Sequence, residues 1–250
     1  MASLPLDIRR VLVALSGAED EWASLDAAID LAVRLQAELT TLFIEDADLL
    51  RASLLPCVRE IGRLSAQSRQ MEFGQLERAL KAAASTAELR LRQTAEARAL
   101  RYSFQVLRGR PVPQLLNLAE RLDVVLLAPP AWERRRQLAS RPIAVFYDAS
   151  TGAEQALALA AGLARDTGSP LHALIPAKDE AIFARQWAQA RAHAPGLVLS
   201  GERCADPAAL PDQVNRQDVS ALVLHEASGF DAEAIDRLRS RLRCDVLLLR

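Results

Sequence analysis

Asp148 and Ser150 close the apolar run IAVFY, and His225, Glu226, Ser228 and Gly229 close a second run, ALVL. An acid, an imidazole, hydroxyls and a small turn ahead of a helix form a set that can bind a polar ligand. The same residue types also serve local structure, because Asp and Ser are favoured in turns and as helix N-caps. A single histidine at a strand end is commonly just solvated. If the two runs are neighbouring strands of an open parallel sheet, all six residues line the crevice beyond the strands' carboxyl ends, where ligands of such sheets bind.

Other reactive side chains form no comparable group. Glu133-Arg134-Arg135-Arg136, followed by Arg141, is the one dense basic run. Its forked guanidinium donors suit an anion, but such a run is more often a solvated linker. His172 and His193 have no partner evident in the sequence. No Gly-x-Ser-x-Gly elbow and no metal-ligand spacing occur, so no catalytic residue, metal or cofactor is expected. The three cysteines, Cys57, Cys204 and Cys244, are widely spaced without a Cys-x-x-Cys pair, which predicts free thiols in a reducing cytoplasm.

Composition narrows the classes further. The 250 residues are 50% hydrophobic and 25% charged with a formal net charge of −1, so no global field draws in nucleic acid or an anionic membrane. Aromatic residues make up only 4%, too few for a base-stacking platform. The longest apolar runs fall well short of the ~20 residues that span a bilayer, and MASLPLDIRR has no apolar export core. The expectation is a cytoplasmic protein without nucleic-acid or membrane partners.

The elements that position Asp148 occur twice. With Ser16 placed on Asp148, the two openings align without a gap as far as Leu42 on Leu174. Val13, Leu25, Ala28, Leu31, Ala32, Leu39 and Leu42 meet identical residues, all apolar, as if one buried face were used twice. Each copy reads as strand, small-residue turn, helix, strand, then a third strand, a short helix and a fourth strand. The strands are Arg10–Leu15, Leu39–Ile44, Tyr102–Leu107 and Val124–Ala128 in the first half. Their counterparts are Ile143–Tyr147, Leu171–Ile175, Leu197–Ser200 and Ala221–His225. The fourth strands are continuous apolar runs, as expected of parallel strands covered on both faces. The pattern predicts an α/β protein of two doubly wound parallel-sheet domains in tandem, at 1–140 and 141–250.

The halves are unequal. The first carries an insertion over 48–100, in which Leu76, Leu80, Ala83, Ala87 and Leu91 mark one face of a long helix. That stripe either covers its own sheet or meets a partner. The second half alone has a further helix, Asp231–Arg243, and a fifth strand, Cys244–Leu249. The fourteen residues after Leu127 in the first half are too few for both.

These features resemble a tandem universal stress protein. The resemblance is carried by VLVALSGAEDEWASLDAAIDLAVRLQAELTTLFIED, FQVLRG and VVLLAPP, by IAVFYDASTGAEQALALAAGLARDTGSPLHAL, and by the terminal CDVLLLR. It implies a Rossmann-like fold with the two halves paired as a pseudo-dimer. Members that bind ATP carry an acid after the first strand and a Gly-x-x-Gly, nine residues, Gly-Ser/Thr loop after the fourth. Here Ser16 replaces the acid and the first loop, APPAWERRRQLAS, has no glycine. The second half keeps the acid as Asp148, but its loop, HEASGFDAEAIDRLRS, has Gly229 alone. Only the acid position carries over.

The resemblance therefore implies a non-catalytic stress-related binding or regulatory module lacking the ATP loop, with Asp148, Ser150, His225, Ser228 and Gly229 as candidate ligand residues. A nucleotide-binding or weakly hydrolysing member with an altered second-half site, and a protein-interaction scaffold, are the alternatives. Because family subunits pair through their fifth strands, a homodimer is expected around the terminal strand or the Leu76–Leu91 helix.

Overall fold

The computed structural model describes residues 7–16, 22–61, 68–70, 72–129 and 141–250. The chain divides into two compact units, residues 10–118 and residues 1–9 with 119–250.

The first unit contains three parallel strands in the order β5-β2-β1: β1 (Arg10–Leu15), β2 (Glu38–Asp46) and β5 (Tyr102–Gly109). Between β1 and β2 runs α1 (Trp22–Leu35), whose buried Leu25, Ala28, Ile29 and Ala32 face the sheet at helical spacing. The insertion supplies α2 (Ala47–Ala52), the short antiparallel strands β3 (Arg59–Ile61) and β4 (Ser68–Gln70), and α3 (Phe73–Ala97). On α3 the stripe buries Leu80, Ala84, Ala87, Leu91 and Ala95. The apolar face thus runs through Ala84 rather than Ala83 and packs on β2 and β5. Arg90 ties α3 to α1, reaching Asp26 at 2.8 Å and lying 5.1 Å over the Trp22 ring, and Arg98 pairs with Asp30. The helix α4 (Pro111–Leu118) completes this unit.

The second unit holds six strands in the order β6-β11-β10-β7-β8-β9. They are β6 (Asp123–Leu127), β7 (Ile143–Phe146), β8 (Leu171–Ile175), β9 (Leu199–Arg203), β10 (Ala221–His225) and β11 (Asp245–Leu249). Connecting them are α5 (Thr151–Thr167), α6 (Glu180–His193), α7 (Leu210–Arg216) and α8 (Ala232–Arg241). Right-handed crossovers that step in opposite directions from the β7–β10 pair put α5 and α6 on one face and α7 and α8 on the other.

Three expectations need correction. The third strand of the second half begins at Leu199, not Leu197, and extends to Arg203. As an outer strand it needs no continuous apolar run, and Val198 beside it is 78% exposed. The terminal strand cannot be a dimer edge. β11 lies parallel to β10 on one side and antiparallel to β6 on the other, so both of its hydrogen-bonding edges are filled. Nor are the two lone histidines isolated: His172 Nδ1 lies 2.7 Å from Ser200 Oγ, and His193 Nδ1 lies 2.9 Å from the Gln189 carbonyl.

Four of the five β11 residues are buried. Leu247→Ala should therefore cost about 2–5 kcal/mol, read as a lower urea midpoint at unchanged slope. Deleting 244–250 should yield insoluble or unfolded chain rather than a folded protein of smaller assembly mass.

Candidate functional site

The crevice at the carboxyl ends of β7 and β10 is shaped by two turns. After β7 the chain leaves the sheet through Asp148, Ala149 at φ 65° and Ser150. Asp148 Oδ1 accepts from the Ser150 N–H at 2.9 Å, and Ser150 Oγ caps α5 by accepting from the Ala153 N–H at 3.2 Å. This local bonding is what the Asp-x-Ser sequence dictates, and it aims the Asp148 carboxylate back toward β10.

There it meets His225, whose Nε2 lies 3.4 Å from Asp148 Oδ1. The contact is electrostatic, and neither ring nitrogen closes a hydrogen bond. At 2% exposure His225 is buried, contrary to the solvated strand-end histidine that its position suggests. Room for the ring comes from Gly152 in the first turn of α5. A Cβ there would stand 2.7 Å from His225 Nδ1 and 3.1 Å from Cγ. Burial pushes the His225 pKa below the ordinary imidazole value, against the opposing pull of the Asp148 carboxylate. The positive end of α5 favours the neutral ring in the same sense.

Further polar atoms gather behind Asp148. Tyr147 is fully buried, its hydroxyl has no hydrogen-bond partner, and burial with the Glu154 and Asp148 carboxylates pushes its pKa up to about 12. Gln186 donates to the Asp148 carbonyl at 3.0 Å. Neither residue stands out in the sequence, because both belong to ordinary apolar or amphipathic patterns. The Pro129 side of the first-half loop lies at the end of the described residues, and the Arg134–Arg136 run and Gly17 lie outside them. Arg141 is committed to Asp218, donating to its carboxylate at 2.6 Å and its carbonyl at 2.8 Å.

The turn after β10 is closed on itself. Glu226–Ser228 makes one 3-10 turn, Ser228 Oγ donates to the His225 carbonyl, and Gly229 follows in the left-handed region at φ 81°. Asp231 then caps α8, accepting from the Ala234 N–H at 2.7 Å. Glu226 pairs with Arg250. Of the candidate residues, Asp148 and His225 are therefore brought into contact, while Ser150, Ser228 and Gly229 shape the turns around them.

A second buried histidine, His172, sits between Ser200 and Glu202, with Nε2 3.6 Å from Glu202 Oε2. Its pKa is also lowered, by burial, with Glu202 pulling the other way. Among the described residues no group of three or more acidic, His or Cys side chains could hold a metal ion.

Two predictions test this geometry. Both histidines hold folded-state pKa values below the unfolded ~6.5, so the unfolded chain takes up protons first as pH falls. Their contribution is complete above pH ~6.5 and is lost below it, at up to about 1.4 kcal/mol per pH unit per histidine. Urea midpoints from pH 8 to pH 5 should fall, and His225→Asn should flatten the slope. Separately, Gly152→Ala should destabilise by about 1–3 kcal/mol, because the buried ring has nowhere to retreat.

Comparison with solved structures identifies the architecture. A universal stress protein from Archaeoglobus fulgidus superposes with a TM-score of 0.63 at 13% identity, covering 98% of this chain and 97% of the other. A putative universal stress protein from Pseudomonas aeruginosa gives 0.56 at 17% identity, covering 98% and 94%. A functionally unknown protein from Pseudomonas aeruginosa gives 0.54 at 14% identity, covering 99% and 94%. No family model and no curated protein matches the sequence. The chain carries the universal stress protein fold over nearly its whole length.

Proposed function

We propose that this chain is a binding or regulatory module of universal stress protein type that does not hydrolyse nucleotide. The observation that carries this reading is the turn after β10. In ATP-binding relatives, glycines there are expected to present N–H groups to phosphate oxygens. In this chain the turn is bonded internally through Ser228, and the α8 N-terminus is occupied by the Asp231 carboxylate. With Glu226 and Asp231 both at this turn, a polyphosphate meets carboxylates instead of donors. The contact between Asp148 and the buried His225 suits a smaller polar ligand.

The repeat boundary near residue 140 remains part of this reading, with domains at 1–140 and 141–250. A cytoplasmic location and a homodimer do too, although a dimer must use a surface other than β11. No helix among the described residues is long and apolar enough to cross a membrane.

Isothermal titration tests the proposal. Each lost charge-assisted phosphate contact removes about 1.5–3 kcal/mol, so ATP should give no binding in the micromolar range, and acid extracts of pure protein should contain no nucleotide. Micromolar ATP binding that disappears in Asp148→Ala would establish the nucleotide-binding alternative instead.

A further inference from the structure

In the first unit β5 is an outermost strand, paired with β2 alone. Parallel register fixes which of its backbone groups face outward. The Leu39 N–H donates to the Arg101 carbonyl and Leu39 lies opposite Tyr102, so Ser103, Gln105 and Leu107 turn their N–H and C=O groups toward β2. Tyr102, Phe104, Val106 and Arg108 turn theirs away from it. Gln114 reaches the Arg108 carbonyl at 3.4 Å. The outward backbone groups of Tyr102, Phe104 and Val106 have no partner among the described residues.

Proteins blunt such edges with charge, proline, a bulge or a short strand. The other outermost strand, β9, follows that rule: it is five residues long and closes on Glu202 and Arg203. By contrast, β5 runs for eight residues in unbroken register with β2, without proline or bulge. Its one charged residue, Arg108, is balanced within the unit by Glu45 at 2.9 Å. Val106 is 48% exposed, and Phe104 on the same face is half-buried.

The strand also complements itself. A two-fold axis through Gln105, perpendicular to the sheet, sets two copies of β5 antiparallel. Phe104 then faces the partner's Val106, and Tyr102 faces the partner's Arg108, each twice by symmetry. These are the outward-turned residues, so each pair exchanges backbone hydrogen bonds, and Gln105 meets its own counterpart as the intervening non-bonded pair. Aromatic against β-branched is a favourable cross-strand pair, and a guanidinium beside a tyrosine ring is another. No like charges lie directly opposite. Moving the axis to Phe104 or Val106 would leave Arg108 or Tyr102 facing residues outside the strand.

We infer that β5 is the interface through which two copies of this chain pair, edge to edge and antiparallel about Gln105. The match of the strand to itself selects a second copy as the occupant, in an isologous contact. The inference rests on the reading of the chain as a homodimer, and it supplies the surface that β11 cannot.

The test uses the full chain with the exposed Cys57 replaced by Ser, Cys204 and Cys244 being buried. Sedimentation should give the mass of two chains. Val106→Lys sets a lysine opposite Phe104 at both symmetric positions and should weaken the dimer by about tenfold. Val106 is exposed, so the far-UV spectrum should not change. A second variant decides the register independently. The central non-bonded pair brings Cα atoms to about 4.5 Å, within reach of a disulfide. Gln105→Cys should therefore give a disulfide-linked dimer under mild oxidation, whereas Ser103→Cys, opposite Leu107, should not. A dimer that keeps its affinity in Val106→Lys, or that Gln105→Cys does not crosslink, overturns the β5 interface and leaves the homodimer reading standing. A wild-type chain that sediments as a monomer at every concentration overturns both.

Discussion

The pairing of β11 on both of its edges organises the second unit. Val246 to Leu249 lie opposite Leu127 to Val124 in antiparallel register, while Asp245 to Leu249 lie opposite Ala221 to His225 of β10 in parallel register. A continuous apolar strand tolerates burial on both faces only when its backbone groups are paired, since each unpaired buried N–H or C=O costs about 1–3 kcal/mol. The ladder continues past the strand: the Leu122 N–H donates to the Arg250 carbonyl at 2.6 Å, and the Arg250 N–H donates to Asp123 at 3.0 Å. These bonds bring the 119–121 segment to the carboxyl ends of β10 and β11. One backbone register thus sets both the core and the position of the segment that leads into β6.

The contact between Asp148 and His225 follows the same logic on a smaller scale. Its parts come from positions far apart in sequence: Asp148 and Gly152 from one turn, His225 from another. What joins them is space rather than hydrogen bonding. Gly152 lacks the side chain that would displace His225, and the displaced ring would lose its approach to Asp148. The two carboxylates of the β10–α8 connection act in the opposite sense, because each satisfies a donor or cation that an anion would otherwise use.

The fold was legible where burial is uniform. The runs VLVAL, IAVF and ALVLH could only be central strands, and seven matched apolar positions revealed the repeated strand–helix–strand unit. The outer strand β9 was misplaced by two residues because LSGER, solvated at an edge, carries no apolar signature. The antiparallel partner of β11 was not legible either, since an apolar strand states that it is buried but not between which neighbours. At the site, the turn chemistry of Asp148 and Ser150 could be read locally. The burial of His225 could not, because it depends on a glycine 73 positions earlier, and a glycine in TGAEQ reads simply as part of a helix start.

The distance along the chain between β6 and β11 has a kinetic meaning. Leu127 and Val246 are register partners separated by more than a hundred residues, and everything between them must be gathered before the ladder can close. Closing so long a loop is entropically costly, and pairings of this kind form late and slow the folding of a domain. Until β11 arrives, β6 and β10 are apolar strands with one ladder edge vacant, the kind of transient surface that recruits another chain. The strand that finishes the sheet is therefore also its guard: the slowest contact to form protects the two edges most able to aggregate.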